Sequence, residues 1–397
     1  MSHAASPRSL LRPMKARDPH EPHRAASPLE LLTDLCFVVA VAQSAAEFHH
    51  AISANHLTQG IIGFAMSFFG VWWAWLNFTW FASSYDNDDV VYRLLTILQI
   101  IGSLVFAAGI PRMVGGDFVL GVTGYIIMRV ALVAQWLRAA KHDPERRETC
   151  LRYAQGIFMV QLLWIGFLLV PKGFVIPIFF FLAIVEMLVP AFAEVSGKTP
   201  WHPHHVAERY GLFFIIVLGE TILSSTLAVQ SMLNEHRTHL QVLCVVFGGI
   251  LIIFSAWWLY FARDAGEVLS ESQNSDLKAA FKWGFGHYFI FASGAALGAG
   301  LAARVDYWTK EEAATALISG ATVTVPVALL LAALWTVHVR CHDASARTLV
   351  PFLAAIVLVL ATTFTPYPEV LSGIICAILV AVEVKLESQS QVAASVV

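Results

Sequence analysis

Residues 207–229 read AERYGLFFIIVLGETILSSTLAV. A helix needs about 20 apolar residues to cross roughly 30 Å of hydrocarbon, so this run reads as a membrane span. It opens on Glu208 and Arg209 and carries Glu220 near its middle. An ionisable side chain at that depth is costly unless it meets a counter-charge, a wet cavity or a proton, which makes it a candidate functional residue. Glu208 and Glu220 stand 12 residues apart, roughly 18 Å of helix rise and about 120° in direction. The two acids therefore need separate neighbours.

The rest of the chain has the same character. Of its 397 residues, 57% are hydrophobic and only 13% charged, against about 25% charged in soluble domains. Apolar segments lie at residues 30–48, 59–82, 90–110, 118–138, 150–170, 174–192, 207–229, 239–261, 281–300, 313–337, 345–364 and 368–385. The expected fold class is all-α: a polytopic membrane helix bundle of about 12 transmembrane helices, with ten and eleven left open. Residues 1–28 hold Arg8, Arg12, Lys15, Arg17 and Arg24 among Pro, Ser and His and lack a signal-peptide core. They are expected to be a disordered basic cytoplasmic tail. Residues 29–192 and 207–387 form two transmembrane halves, 193–206 a cytoplasmic linker and 388–397 a second cytoplasmic tail.

With the N-terminus inside, the inner segments carry 19 of the 25 Lys and Arg and the outer segments five (Arg112, Lys172, Arg237, Arg304 and Lys310), with Arg129 inside a span. This asymmetry predicts two cytoplasmic termini in a bacterial inner membrane. The halves also resemble each other. ELLTDLCFVVAVAQ at 30–43 parallels ERYGLFFIIVLGE at 208–220, and WWAWLNFTWFASSYDNDD at 72–89 parallels SAWWLYFARDAGE at 255–267. Two six-helix repeats entering the membrane from the same side are a transporter arrangement. No basic patch or zinc-ligand array indicates nucleic-acid binding. The five cysteines form no CxxC pair, so neither a disulfide framework nor a thiolate metal site is indicated.

The charged residues within apolar runs are the candidate substrate- or ion-binding set. Glu30 and Asp34 share a face of the first span; helix capping accounts equally well for Glu30, whereas Asp34 lies a turn deeper. Gln43 stands near the other end. Arg129 lies centrally in GVTGYIIMRVALVAQWL and Glu186 in VIPIFFFLAIVEMLVPAF. An arginine stays charged, so Glu220 or Glu186 should be its partner, and Glu220 is the expected one; a structural ion pair is the plainer alternative. Glu208, Arg209 and Glu220 complete the set. Asp86, Asp88 and Asp89 form an acidic turn with Arg93, which an Asp89–Arg93 ion pair explains more simply than a cation site. His202, His204 and His205 near Glu208 have metal-ligand chemistry, but interfacial histidines usually hold no metal. The metal question stays open, and no cofactor is predicted.

Taken in order, ELLTDLCFVVAVAQ, WWAWLNFTWFASSYDNDDVVYRLL and ERYGLFFIIVLGETI resemble the bacterial low temperature requirement protein A family of multipass membrane proteins. The pattern matches at Glu30, Asp34, Gln43, Asp86, Asp88, Asp89, Arg93, Glu208, Arg209, Gly219 and Glu220. It departs at Leu32, Thr33 and Cys36. The resemblance implies a bacterial inner-membrane protein without supplying a reaction. The functional expectation is a secondary transporter or permeation protein that handles protons or a small solute among membrane lipids, with self-association left open. A metal-dependent enzyme acting on a lipid and a non-catalytic sensor or assembly protein are the alternatives.

Overall fold

Fifteen helices run through the described residues of the computed structural model, which are 11–19, 21, 24–234, 240–275, 277–309 and 314–395. They are α1 (Pro28–Ser53), α2 (Leu57–Tyr85), α3 (Val90–Val114), α4 (Val119–His142), α5 (Arg147–Phe167), α6 (Val175–Met187), α7 (Val189–Glu194), α8 (Pro203–Asn234), α9 (Leu240–Phe261), α10 (Ala265–Ser275), α11 (Leu277–Thr309), α12 (Ala316–Leu334), α13 (Arg340–His342), α14 (Ala346–Thr362) and α15 (Pro368–Ser395). No strand is present among the described residues. Among the described residues, ten helical segments are long and apolar enough to cross a membrane. The 17-residue α14 and the apolar first part of α15 coincide with the last two expected spans. A bundle of about 12 spans is the result.

Two compact units divide the chain. The first comprises residues 1–44 and 63–209, the second 45–62 and 210–397. Within the first, α3 packs on α4, α4 on α5, and α5 on α6 and α7, while Phe69 of α2 meets Phe179 of α6 edge-on. Within the second, α11 packs on α12, α12 on α14, α14 on α15, and α15 on α9. The order of neighbours is the same in both.

Close backbone approach sets these contacts, as expected where lipid supplies no hydrophobic drive between helices. A side chain at Gly109 of α3 would strike the Gly121 backbone of α4 at 2.6 Å. In the second unit a side chain at Gly248 of α9 would strike the Glu369 backbone of α15 at 2.5 Å. Large apolar residues such as Ile101, Phe181, Phe247 and Val357 stay exposed, which suits a surface solvated by lipid rather than water.

The amino-terminal stretch departs from the expectation of a disordered tail over its described part. Met14 is buried, and Arg24 donates to the Ser83 and Ala82 carbonyls at the end of α2. The Arg17 N–H donates to the Ser84 carbonyl at 3.0 Å. Carbonyls in the last turn of a helix lack intrahelical partners; the basic segment fills those of Ser83 and Ser84 and adds a second donor to that of Ala82, which also accepts from the Asp86 N–H at 3.1 Å. Residues 1–10 lie outside the described residues. At the other end, residues 388–395 continue α15 instead of forming a separate tail.

Candidate functional site

Two pairs of residues, each spaced one helical turn, face each other in the first unit. Glu30 and Asp34 share a face of α1, and His205 and Arg209 share a face at the start of α8. Arg209 Nε donates to Asp34 Oδ2 at 3.0 Å and Nη2 donates to Oδ1 at 2.6 Å, a bidentate, charge-assisted grip. Arg209 Nη1 lies 3.0 Å from Glu30 Oε1, and His205 Nε2 lies 3.2 Å from the same oxygen. Trp75 of α2 donates its indole N–H to Asp34 Oδ1 at 2.7 Å. None of Glu30, Asp34, His205 and Arg209 is more than 1% exposed, so their mutual charges act at low dielectric.

Glu30 also caps its own helix. The Ser27 N–H donates to Glu30 Oε2 at 2.7 Å, and the Ser27 hydroxyl accepts from the Glu30 N–H at 3.3 Å, a reciprocal capping box. Glu30 therefore both caps α1 and takes part in the buried ion-pair group. Nearby, Arg24 and Asp86 are buried, and the Tyr92 hydroxyl is buried with no hydrogen-bond partner among the described residues. The buried ionisable set thus holds three carboxylates (Glu30, Asp34 and Asp86), two guanidiniums (Arg24 and Arg209) and the His205 imidazole. Glu208 is exposed and accepts a backbone hydrogen bond from Ala26, just before the α1 cap.

The acidic turn is paired differently from expectation. Arg93 takes Asp88 at 2.6 and 2.7 Å, not Asp89. Asp89 caps α3 by accepting from the Tyr92 N–H at 2.7 Å, and Arg138 of α4 and the Arg12 N–H hold its other oxygen at 2.6 and 2.9 Å. A capping residue lies outside the helical repeat, so the spacing of four that suggested Asp89–Arg93 does not apply. These donors outweigh burial and hold the Asp89 carboxyl below its ordinary range. Asp86 accepts from the Asp88 N–H at 2.9 Å; burial foremost, then the like charge of Glu30, pushes its carboxyl up to about 6. Among the described residues, no group of three or more His, Cys, Asp or Glu is placed to hold a metal ion.

Arg129 finds Glu186. Its Nη2 lies 2.8 Å from Glu186 Oε1. Tyr125, one turn earlier on α4, donates to the same oxygen at 2.7 Å, and Trp164 of α5 donates to Oε2 at 2.9 Å. The expected role of Glu220 as the Arg129 counter-ion is thereby corrected, because two oriented donors on neighbouring helices fix Glu186 in that place. Glu220 is half-buried and makes no ion pair or hydrogen bond among the described residues. Gln43, more than two turns beyond Asp34, is half-buried and stands apart from the Arg209 group.

The second unit holds ionic groups that sequence reading passed over. Arg304, assigned to an outer loop from the sequence, lies buried in α11. It donates to Glu369 at 3.0 Å, to Ser319 at 3.3 Å and to the Pro366 carbonyl at 2.9 Å. Asp306 meets His49 at 2.9 Å and the Ser53 hydroxyl at 2.8 Å. His287 Nδ1 faces the Trp283 carbonyl at 2.7 Å and so carries the proton, which leaves Nε2 as the acceptor. The Tyr260 hydroxyl and His338 Nε2 both approach that nitrogen at 3.1 Å. His338 sits in a π-helical turn, Trp335–Val339. Glu369 one residue after Pro368 and Glu30 two residues after Pro28 are both acids in the first turn of a helix that begins on proline, and that likeness was available in the sequence.

Ion pairs buried within long apolar helices define a polytopic helical membrane protein whose charged side chains are held inside its units. The chain belongs to the bacterial low temperature requirement A protein family, whose model matches residues 25–384. It is also 30% identical over 287 residues to an uncharacterized protein of Rhizobium meliloti (strain 1021). That alignment covers 66% of this chain, and the chain spans 65% of the length of the relative.

Proposed function

We propose that this integral membrane protein is a proton-linked secondary transporter or permeation protein, with Glu30, Asp34, Arg209 and His205 as its proton-carrying group. One observation carries the reading: in the cluster around Arg209, three buried carboxylates (Glu30, Asp34 and Asp86) neighbour two buried guanidiniums (Arg24 and Arg209). Charge buried without balance is expensive, and one proton shared between Glu30 and His205 restores neutrality. Arg209 orients both acids, Trp75 steadies Asp34, and loss of the proton changes the field felt by Arg209. The matching neighbour order in the two units supports a duplicated, transporter-like architecture. The predominance of basic residues in the inner segments, which remains when the buried Arg209 and Arg304 are set aside, supports an inner-membrane orientation with both termini cytoplasmic. By contrast, Arg129 and Glu186 are joined by oriented donors on both carboxylate oxygens, which supports a structural role for that pair.

The test uses proteoliposomes loaded with pyranine, a pH-reporting dye, and challenged with fractions of a bacterial small-molecule extract under an imposed pH gradient. The reading expects at least one fraction to trigger proton movement in the wild type and not in folded Glu30→Gln or Asp34→Asn. Wild-type vesicles that match empty vesicles with every fraction, or variants that match the wild type, would overturn it.

A further inference from the structure

A groove in the second unit carries an inference independent of the proton site. One wall is a stripe on α11 that includes Lys282, Gly286 and Phe289, and the other is a stripe on α12 and the π-helical turn that includes Leu329, Ala333 and Val337 and ends on Arg340. The spacings of three and four residues place each set on one helical face. The helices touch at the groove floor, where a side chain at Gly286 would meet Val337 Cγ2 at 2.5 Å. The hollow measures about 610 Å³, within the roughly 300–1,000 Å³ of small-molecule sites.

The chemistry is graded along the groove. Lys282 lies near the start of its span and Arg340 near the end of the next one, so both cations mark the same end of two successive spans. Both are exposed, and among the described residues neither makes an ion pair and no carboxylate lines the hollow. Away from that end the walls are almost wholly apolar. An occupant that fits has an anionic head and an apolar tail, and it lies along a membrane span. Inorganic phosphate matches only the cations and a neutral lipid only the walls.

We propose that this groove binds an acidic glycerophospholipid, with the phosphate between Lys282 and Arg340 and an acyl chain along Phe289, Leu329 and Ala333. Cations at a membrane boundary bind anionic headgroups in this way. Because the π-helical turn forms part of the wall through Val337 and presents His338 to His287 on its inner side, lipid occupancy bears directly on the buried histidine pair.

Native mass spectrometry of the full-length protein in detergent, with added phosphatidylglycerol, phosphatidylcholine or inorganic phosphate, tests the assignment. Phosphatidylglycerol should be retained in preference to phosphatidylcholine, and phosphate should neither bind nor compete. Lys282→Gln with Arg340→Gln should weaken retention about thirtyfold, the loss expected for two headgroup contacts. Thr336→Trp, which narrows the groove from an exposed position without altering charge, should also displace the lipid. Equal retention of the two lipids, competition by phosphate alone, or unchanged retention in either folded variant would overturn the proposal. If the double charge variant does not fold, the single variants and Thr336→Trp decide it by the same readout.

Discussion

Arg209 holds Asp34 through two parallel hydrogen bonds of 3.0 and 2.6 Å between the start of one span and the first turns of another. The two residues are 175 positions apart in the chain, and neither is exposed to solvent. A carboxylate in that setting depends on its partner, because removing one member of a buried pair strands the other charge.

Asp34→Asn and Arg209→Lys should therefore each destabilise the protein by about 3–5 kcal/mol, the second because an ammonium cannot reproduce the guanidinium fork. An Asp34→Leu, Arg209→Met double variant should recover much of that loss while losing any proton-linked activity. Thermal unfolding in detergent, followed by tryptophan fluorescence, measures all three. Additive losses in the double variant would contradict direct coupling.

Glu186 and Glu220 should separate cleanly. Glu186→Gln strands Arg129 and disturbs the bonds from Tyr125 and Trp164, so a loss of about 3–5 kcal/mol is expected. Glu220→Gln breaks no ion pair among the described residues and should stay within about 0.5 kcal/mol of wild type. The same unfolding measurement compares them, and a large loss at Glu220 would mean that a subunit or lipid contact engages it.

The acidic turn should also divide. The Arg93–Asp88 pair is partly exposed, and Arg93→Ala should cost no more than about 1 kcal/mol. Asp89→Ala removes the α3 cap together with the Arg138 partner, and the cap alone is worth about 1 kcal/mol. Asp89→Ala should thus be the more damaging substitution in thermal unfolding.

Asp86 sets a pH dependence. Its carboxyl is raised to about 6 in the folded protein, against about 3.9 when unfolded. Between these values the folded state binds the extra proton, so stability falls as pH rises from about 4 through 6, by up to about 3 kcal/mol. Asp86→Asn should flatten that part of the curve of melting temperature against pH. An unchanged curve would remove Asp86 as its source.

Much of the fold follows from the sequence alone. An apolar run of span length has few ways to satisfy its backbone other than a helix, so over their described residues the expected spans are helical, the sixth divided between α6 and α7. Candidate residues were legible wherever cost made them stand out, as with Asp34, Arg129, Glu186, Arg209 and Glu220. Spacing along one helix was legible too, and Glu30 with Asp34 on one face of α1 came from it directly. His205 and Arg209 have the same spacing, but a histidine near a helix start carries no cost signal, and the sequence offered His205 only as metal-ligand chemistry with His202 and His204, not as a partner of Glu30.

Pairing was decided only by the tertiary structure. Arg129 takes Glu186 rather than Glu220 because Tyr125 and Trp164 orient that carboxylate, an arrangement set by the packing of α4, α5 and α6. Arg209 reaches Glu30 and Asp34 across a long stretch of chain, and Arg304 leaves its expected loop for a buried pair with Glu369. Periodicity and hydropathy are properties of one segment, whereas the partner of a buried charge depends on which side chains the packed neighbouring helices bring within about 3 Å. The sequence by itself determined which charges had to be paired; only the fold decided with which partners, and left Glu220 half-buried on its span.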